Sequence, residues 1–261
     1  MQTPLDAGSR RATRPSRARK ALALITGTVA VAASLTATSV GTAAAAVRVS
    51  IAPGSEIAII AKRLGPHSAS VNECTVGFIA TDGAGRKVAI TAGHCGRPGE
   101  QVAARDLSGG NALIVVGRVA RSTTPPTKKG PNGALEAADP NVPDWATITF
   151  IKGVPISDSA GPVHPTRVGR ARIGDPVCHD GITTGWRCGH VVDVSGHRVL
   201  TDIALRPGDS GGPFIRTTDG AALGIASTSD RPLHQKPGGK EYSEFNDLGF
   251  ILRAAGLQLA T

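Results

Sequence analysis

A serine enclosed by glycines is the first residue of this sequence that could do chemistry. Ser210 lies in the segment 208–213, which reads GDSGGP. Glycines let the backbone turn sharply and direct its N–H groups inward, so the amides of Gly208 and Ser210 could together bind an oxyanion developing on a substrate carbonyl. The alternative is an ordinary glycine-rich hairpin turn, and the rest of the chain must decide between the two.

A histidine and an aspartate supply the groups that would activate such a serine. His94 ends an apolar segment in TAGHC, where a disulfide through Cys95 would hold a general base rigidly. Asp144 precedes the apolar run WATITF, so its carboxylate is drawn inward and needs a partner. We predict that Ser210 is the nucleophile, that His94 takes its proton and that Asp144 orients His94. Alone, the histidine could be a core residue and the aspartate a strand cap; the three in this order are specific.

The order of these residues excludes another class of hydrolase. GDSGG also fits the nucleophile elbow of the α/β-hydrolases, but those enzymes place the acid and the histidine after the serine. His234 is the only histidine after Ser210, and no alternation of strands and helices precedes the serine. An esterase of that fold is therefore not expected.

The N-terminus has the pattern of a secretory signal peptide. A basic stretch ends at Lys20, and residues 21–46 are uncharged and rich in small side chains, which predicts cleavage near Ala45 or Ala46. An uncleaved membrane anchor is the alternative. The first 46 residues hold six of the 29 Lys and Arg and one of the 20 acidic residues, so their removal lowers the net charge from +9 to +4. No basic stripe with interleaved aromatics remains, and nucleic-acid binding is not expected.

The four cysteines all lie after this segment, in an even number suited to an oxidising compartment: Cys74, Cys95, Cys178 and Cys188. Four cysteines can form two disulfides in three ways. We expect the way that joins cysteines close in sequence, Cys74 with Cys95 and Cys178 with Cys188. The alternative is a zinc site, because His179 and His190 adjoin the last two cysteines. The absence of a paired C-x-x-C motif disfavours zinc.

Composition and patterning predict an all-β fold. The 33 Gly and 18 Pro are too many for a helical bundle, and 40% hydrophobic residues are too many for a disordered chain. Three β-hairpins are expected because β-branched runs flank short polar turns; they lie at 75–92, 190–205 and 213–227. Two Pro- and Gly-rich stretches, 121–143 and 230–240, are predicted surface loops.

One helix is predicted at the C-terminus. Asn246 is its expected N-cap and Gly256 its stop, and apolar residues recur between them at helical spacing. Leu248, Ile251 and Leu252 would face the core.

TAGHC, the aspartate of DWATI and PGDSGGP together resemble the three signature segments of the chymotrypsin-like serine proteases. The segment CHDGITTGWRCG, at 178–189, is similar to a short disulfide loop of the secreted actinobacterial, streptogrisin-like branch. The resemblance covers about 74–259. It implies two six-stranded antiparallel β-barrels with the active site between them, followed by a C-terminal helix. It also implies a serine endopeptidase that forms an acyl-enzyme and needs no metal or cofactor.

The organisation that follows is a signal peptide at 1–46, an N-terminal segment or short pro-segment at 47–73 and a protease domain at 74–261. We expect a secreted, extracellular monomer that acts on proteins or peptides and has no stable membrane association once the signal is removed. The alternative is a non-catalytic secreted binding module on a protease fold, because fold alone does not prove function.

The substrate pocket departs from the family pattern. Ala204 stands six residues before Ser210, where trypsin-like relatives carry an acidic pocket base. Ser227, Thr228 and Ser229 replace a serine followed by glycines, and their side chains would narrow the pocket. We therefore predict a small or medium uncharged residue at P1, the substrate residue before the cleaved bond. The cysteine that commonly ties down the pocket just before the nucleophile is missing.

The aromatic residues and other histidines are assigned structural roles. Trp145 is expected to shield the His94–Asp144 pair, and Trp186 to lie in the core or at its rim. The remaining histidines have no partner fixed by sequence and are expected to be surface or structural residues: His67, His164, His179, His190, His197 and His234.

Overall fold

The computed structural model of the protein describes residues 48–66, 68–108, 112–125, 127–129, 135–137, 139, 141–228 and 241–261. The predicted signal peptide, His67, Ser229 and the whole predicted loop 230–240, which includes His234, lie outside these residues. The described chain is mostly β-strand, which confirms the all-β class. No helix among the described residues is long and apolar enough to cross a membrane.

Most strands of the first half of the chain form one antiparallel sheet. In chain order they are β1 (Glu56–Gly65), β2 (Ser68–Thr75), β3 (Phe78–Thr81), β4 (Lys87–Thr91), β5 (Gln101–Arg105), β6 (Leu113–Thr123), β7 (Thr127–Lys129), β8 (Leu135–Ala137) and β9 (Trp145–Phe150). β7 and β8 pair only with each other. The others join the last strand of the chain in an eight-stranded sheet, and a short 3₁₀ turn, Gly93–Cys95, follows β4.

The second half forms a closed barrel and the helix. Its elements are β10 (Arg167–Val168), β11 (Pro176–Gly181), β12 (Gly185–Ser195), β13 (Arg198–Thr201), β14 (Pro213–Arg216), β15 (Ala221–Thr228), β16 (Ser243–Asp247), α1 (Leu248–Ala255) and β17 (Gln258–Leu259).

The two halves differ in how their sheets close. The barrel has the order β15-β14-β11-β12-β13-β16 and closes by pairing β15 with β16, while β10 lies parallel to β15 at its edge. The first sheet has the order β17-β3-β4-β9-β6-β5-β1-β2, with β17 and β2 at its edges. The antiparallel β-barrel architecture with a C-terminal helix is thus confirmed, and the described hydrogen bonds close the second barrel.

Three apolar clusters hold these elements together. One lies within the first sheet, around Ile57 and Ile148, and one within the barrel, around Phe214 and Phe245. The third contains residues of both sheets and of α1, and Ile90 of β4 is one of them. Burial of large apolar side chains is worth about 1.5–3 kcal/mol each, so the shared third cluster fixes the two sheets against each other.

The chain before β1 belongs to the folded body. Ile51 is fully buried and bridges to Ile156, and the N–H of Arg48 donates to the carboxylate of Asp106. The domain boundary predicted between residues 73 and 74 falls inside β2, so the first sheet uses residues on both sides of it.

The predicted hairpins are present, but two boundaries need correction. β6 continues to Thr123, and β7 and β8 form a hairpin inside the stretch predicted to be a loop from 121. The helix N-cap is Asp247, not Asn246, because Asp247 Oδ1 accepts the N–H of Phe250 at 2.6 Å. Asn246 is still in β16, and its side-chain oxygen accepts the N–H of Asp144. Gly256 ends the helix as predicted, with a left-handed φ of 63°.

Candidate active site

His94 is held at the end of β4 by its neighbours on both sides. Cys95 forms a disulfide with Cys74 of β2. Gly93 packs so closely on β6 that a Cβ atom there would lie 1.8 Å from the carbonyl oxygen of Thr123. The carbonyl of Gly93 also accepts the hydroxyl of Ser122 at 2.9 Å. The backbone that carries the imidazole is therefore fixed to three strands.

Asp144 is a buried carboxylate immediately before β9, with 4% of its surface exposed. Its Oδ1 accepts the backbone N–H of His94 at 2.8 Å, and its Oδ2 lies 2.6 Å from His94 Nδ1. The hydroxyl of Ser227 donates to the same Oδ2 at 2.8 Å. The N–H of Asp144 donates to Asn246 Oδ1 at 3.2 Å. These donors compensate the burial of the carboxylate and fix its direction.

The third side chain joins from the barrel half of the chain. His94 Nε2 lies 2.9 Å from Ser210 Oγ. Because a carboxylate only accepts, His94 Nδ1 carries a proton toward Asp144, which leaves Nε2 of the neutral ring as an acceptor for the hydroxyl. The structure therefore brings the three residues singled out from the sequence into one hydrogen-bonded chain.

The loop before Ser210 is anchored through a buried aspartate. Asp209 is fully buried, and its carboxylate accepts the N–H groups of Arg206, Thr183 and Thr184 at 2.8, 2.9 and 3.0 Å. Gly208 has a φ of 101°, in the region that favours glycine.

This conformation leaves two amide donors available. The N–H groups of Asp209, Gly211 and Gly212 donate to backbone carbonyls. In the described part of the chain, the N–H groups of Gly208 and Ser210 have no such acceptor. Two free amides beside a nucleophile are what an oxyanion hole requires.

The predicted pocket residues do not all lie where expected. The side chain of Ser227 is 2% exposed and donates to Asp144, and the residue lies at a register shift between β15 and β16. Ala204 is half-buried before the oxyanion loop. Thr228 ends β15, but its side chain is outside the described atoms, and Ser229 is outside the described residues.

The cysteines and histidines offer no open metal site among the described residues. Cys178 is bonded to Cys188, which removes the thiolates of the zinc alternative. Cys74, Cys95 and His94 place potential ligand atoms within 4.8 Å of one another, but the two sulfurs are already joined.

Of the remaining described histidines, two are buried, His179 fully and His197 to 9% exposure. Burial lowers the pKa of His179 to about 4, although nearby Asp209 acts in the opposite direction. His164 and His190 are exposed. Trp145 is 4% exposed, with the guanidinium of Arg121 5.5 Å from its ring centre, and Trp186 is 37% exposed at the rim.

Three residues of the site were not assigned these roles from the sequence. Asn246 receives the N–H of Asp144, Asp209 anchors the loop, and Thr75 contacts that loop from β2. The position of Asp209 directly before Ser210 was a usable signal, since a carboxylate next to a buried nucleophile loop needs partners. Asn246 and Thr75 carry no local signal.

A groove of about 580 Å³ opens beside His94, between the β1–β2 hairpin and the turn after the histidine. Ala61, Asn72, Arg97 and Ser122 are among its lining residues. The groove leaves one side of the imidazole accessible.

Comparisons with known proteins identify relatives of the chain. No protein-family model matches the chain. Streptogrisin-C of Streptomyces griseus is 30% identical over 198 residues, which are 72% of this chain and 38% of that protein. An uncharacterised protein of Mycobacterium tuberculosis is 32% identical over 163 residues, 58% of this chain and 65% of that protein. The chain thus spans less than two thirds of the length of either relative.

Solved structures match more of the chain. A Nocardiopsis protease is 26% identical, with a TM-score of 0.57, over 82% of this chain and 100% of the other. Thermobifida fusca protease A is 24% identical, with a TM-score of 0.55 and the same coverage. The second likeness concerns the fold alone.

Proposed function

Because the chain belongs to the chymotrypsin-like serine proteases, in their actinobacterial streptogrisin-like branch, we propose that it is a serine endopeptidase with Ser210 as nucleophile. One observation carries the proposal: the hydrogen-bonded chain from Asp144 through His94 ends at Ser210, and among the described residues the amides of Gly208 and Ser210 have no backbone acceptor. A hydroxyl, a base and an anion-binding pair in this arrangement suit acyl transfer.

The reaction runs in two halves. Ser210 Oγ attacks the scissile carbonyl carbon while its proton passes to His94 Nε2, and the carbonyl oxygen becomes an oxyanion. The amides of Gly208 and Ser210 stabilise that oxyanion, and Asp144 stabilises the imidazolium. His94 then gives its proton to the leaving amine as the C–N bond breaks, which leaves an acyl ester on Ser210.

Water completes the cycle. His94 removes a proton from a water molecule, whose oxygen attacks the ester carbon. The second tetrahedral intermediate collapses with return of the proton to Ser210 Oγ, which releases the acid product. Each proton leaves and re-enters through His94 Nε2, so no further titrating group is needed.

The substrates of this activity are proteins or peptides with a small or medium uncharged P1 residue. Ala204 supports this preference, because it supplies no carboxylate where a basic P1 side chain would need one. Faster turnover of Arg-P1 peptides than of Ala, Val or Leu ones would contradict it. The two disulfides support a secreted, extracellular enzyme, since such bonds persist in oxidising compartments. We propose that it acts as a monomer.

The test compares the purified protein with Ser210→Ala on a diverse peptide library, with cleavage sites identified by mass spectrometry. Ser108→Ala, at an exposed serine of the β5–β6 turn, is the matched control. We expect cuts from the parent and from Ser108→Ala and none from Ser210→Ala. Absence of cuts from correctly folded parent protein would favour the non-catalytic binding module instead.

A further inference from the structure

Thr75 joins the first sheet to the loop that carries the nucleophile. It is the last residue of β2, follows the disulfide-bonded Cys74, and is fully buried. Its hydroxyl donates to the carbonyl of Gly208 at 2.8 Å and accepts the N–H of Ile182 at 3.1 Å. Its own backbone N–H donates to the carbonyl of Ser210 at 2.8 Å.

These bonds act on the peptide unit between the two oxyanion donors. The donor amides belong to Gly208 and Ser210, and the Gly208–Asp209 peptide lies between them. The carbonyl of that peptide accepts from Thr75 Oγ1, and its N–H donates to the carbonyl of Arg206 at 3.0 Å. The peptide is held at both ends, so it cannot rotate without breaking two hydrogen bonds.

The hydroxyl is the part of Thr75 that the arrangement requires. A hydroxyl donates and accepts at once, and here both functions are used. Valine has nearly the same shape but would leave the Gly208 carbonyl and the Ile182 N–H unpaired, at the usual cost of unsatisfied buried groups. The loop can lie this close because residue 211 is glycine: a Cβ atom there would lie 2.0 Å from Thr91 Oγ1.

The same hydroxyl also links the loop to the β11–β12 hairpin. Ile182 lies in that hairpin, and its neighbours Thr183 and Thr184 donate to the carboxylate of Asp209. The hairpin therefore braces the loop by three routes: through Asp209, through the Thr183 hydroxyl, which donates to the carbonyl of Pro207 at 2.6 Å, and through Thr75. Loss of the Thr75 hydroxyl removes the route that reaches the Gly208 carbonyl.

We propose that the Thr75 hydroxyl is a positioning group for the oxyanion hole, which holds the Gly208–Asp209 peptide that joins the two donor amides. The inference rests on the proposed peptidase function. Thr75 acts through Gly208 and Ser210, so its effect should appear in the transition state, where negative charge develops, more than in substrate binding.

The test uses Thr75→Val, Thr75→Ser and, as a matched buried threonine of β9, Thr147→Val. Direct loss of one oxyanion donor costs about 10²–10³ in kcat, so loss of its support in Thr75→Val should lower kcat about 10- to 100-fold. KM should stay within about twofold of the parent. Affinity for a peptide boronic acid, which forms a tetrahedral adduct with the nucleophile, should fall with kcat. Thr75→Ser should restore both, and Thr147→Val should leave both unchanged.

The outcomes separate the two proposals. If the parent shows no Ser210-dependent cleavage, the proposed function fails and this inference fails with it. If the parent is active and Thr75→Val retains the parent kcat, only the inference is overturned. It is also overturned if Thr75→Ser remains as impaired as Thr75→Val, or if only KM changes. Should Thr75→Val not fold, as judged by circular dichroism, Thr75→Ala takes its place with the same criteria.

Discussion

At the scale of single residues, Asp144 has the most constrained environment of the candidate site. Both of its oxygens are used, one by the backbone of His94 and the other by the imidazole and by Ser227. The carboxylate therefore fixes both the position of the histidine backbone and the direction of the ring. An asparagine in its place would direct its NH₂ group, which is a hydrogen-bond donor, toward one of the groups that now donate to the carboxylate.

Replacement of the three side chains should order their roles. We expect Ser210→Ala and His94→Ala to lower kcat by about 10⁶-fold and Asp144→Asn by about 10⁴-fold, as in other enzymes with this chemistry. Ser227→Ala removes one of several donors to Asp144 and should cost less than Asp144→Asn. Steady-state kinetics on one peptide substrate measure the series. A Ser227→Ala loss larger than that of Asp144→Asn would contradict the assigned roles.

His179 should make stability depend on pH. Its folded pKa is lowered from 6.5 to about 4 by burial, so the proton binds better to the unfolded chain. The stabilisation from the neutral ring is complete above about pH 6.5 and is lost as the pH falls toward 4, a change of about 3 kcal/mol. His179→Gln should lose less free energy of unfolding over this range.

Urea unfolding at several pH values measures this difference. The buried carboxyls of Asp180 and Asp247 have raised pKa values, and burial lowers the pKa of His197, but these groups are common to both proteins and cancel in the comparison. His164→Gln, at an exposed histidine, is the control. Identical pH profiles for the parent and His179→Gln would contradict the prediction.

At the scale of elements, β16 and α1 illustrate how adjacent residues divide two tasks. Asn246, in the strand, directs its amide to Asp144, while Asp247 caps the helix. The sequence pattern placed the cap one residue too early, because both residue types are good N-caps. Only the pairing of β16 with β13 and β15 decides which of the two side chains faces the site.

Substitution at the two positions should give separate phenotypes. Asp247→Ala should lower the free energy of unfolding by about 1 kcal/mol, the usual value of an N-cap, and Asp247→Asn should keep most of it. Asn246→Ala should instead lower kcat, because Asp144 loses an acceptor for its N–H. Urea unfolding and steady-state kinetics measure the two effects. If Asn246→Ala alone destabilised the helix, the assignment of the cap would be wrong.

At the scale of the whole molecule, the sequence predicted the three side chains that the structure joins by hydrogen bonds and missed those that support them. His94, Asp144 and Ser210 were accessible because each lies in a recognisable local pattern. Thr75 was not, because its hydroxyl bonds to a carbonyl 133 residues away, and that contact exists only once both sheets are packed. The contact of Ser227 with Asp144 was missed for a related reason. The direction of a side chain on β15 depends on strand pairing, which local sequence does not reveal.

The order of the strands in the first sheet places a strand from the end of the described chain at one of its edges. β1 and β2 come first in the described chain, whereas β17, which pairs with β3, consists of Gln258 and Leu259. The barrel that carries Ser210 contains none of these residues. Loss of β17 would therefore leave β3 as the edge strand of the sheet that carries His94, while the barrel that carries Ser210 would keep all of its strands.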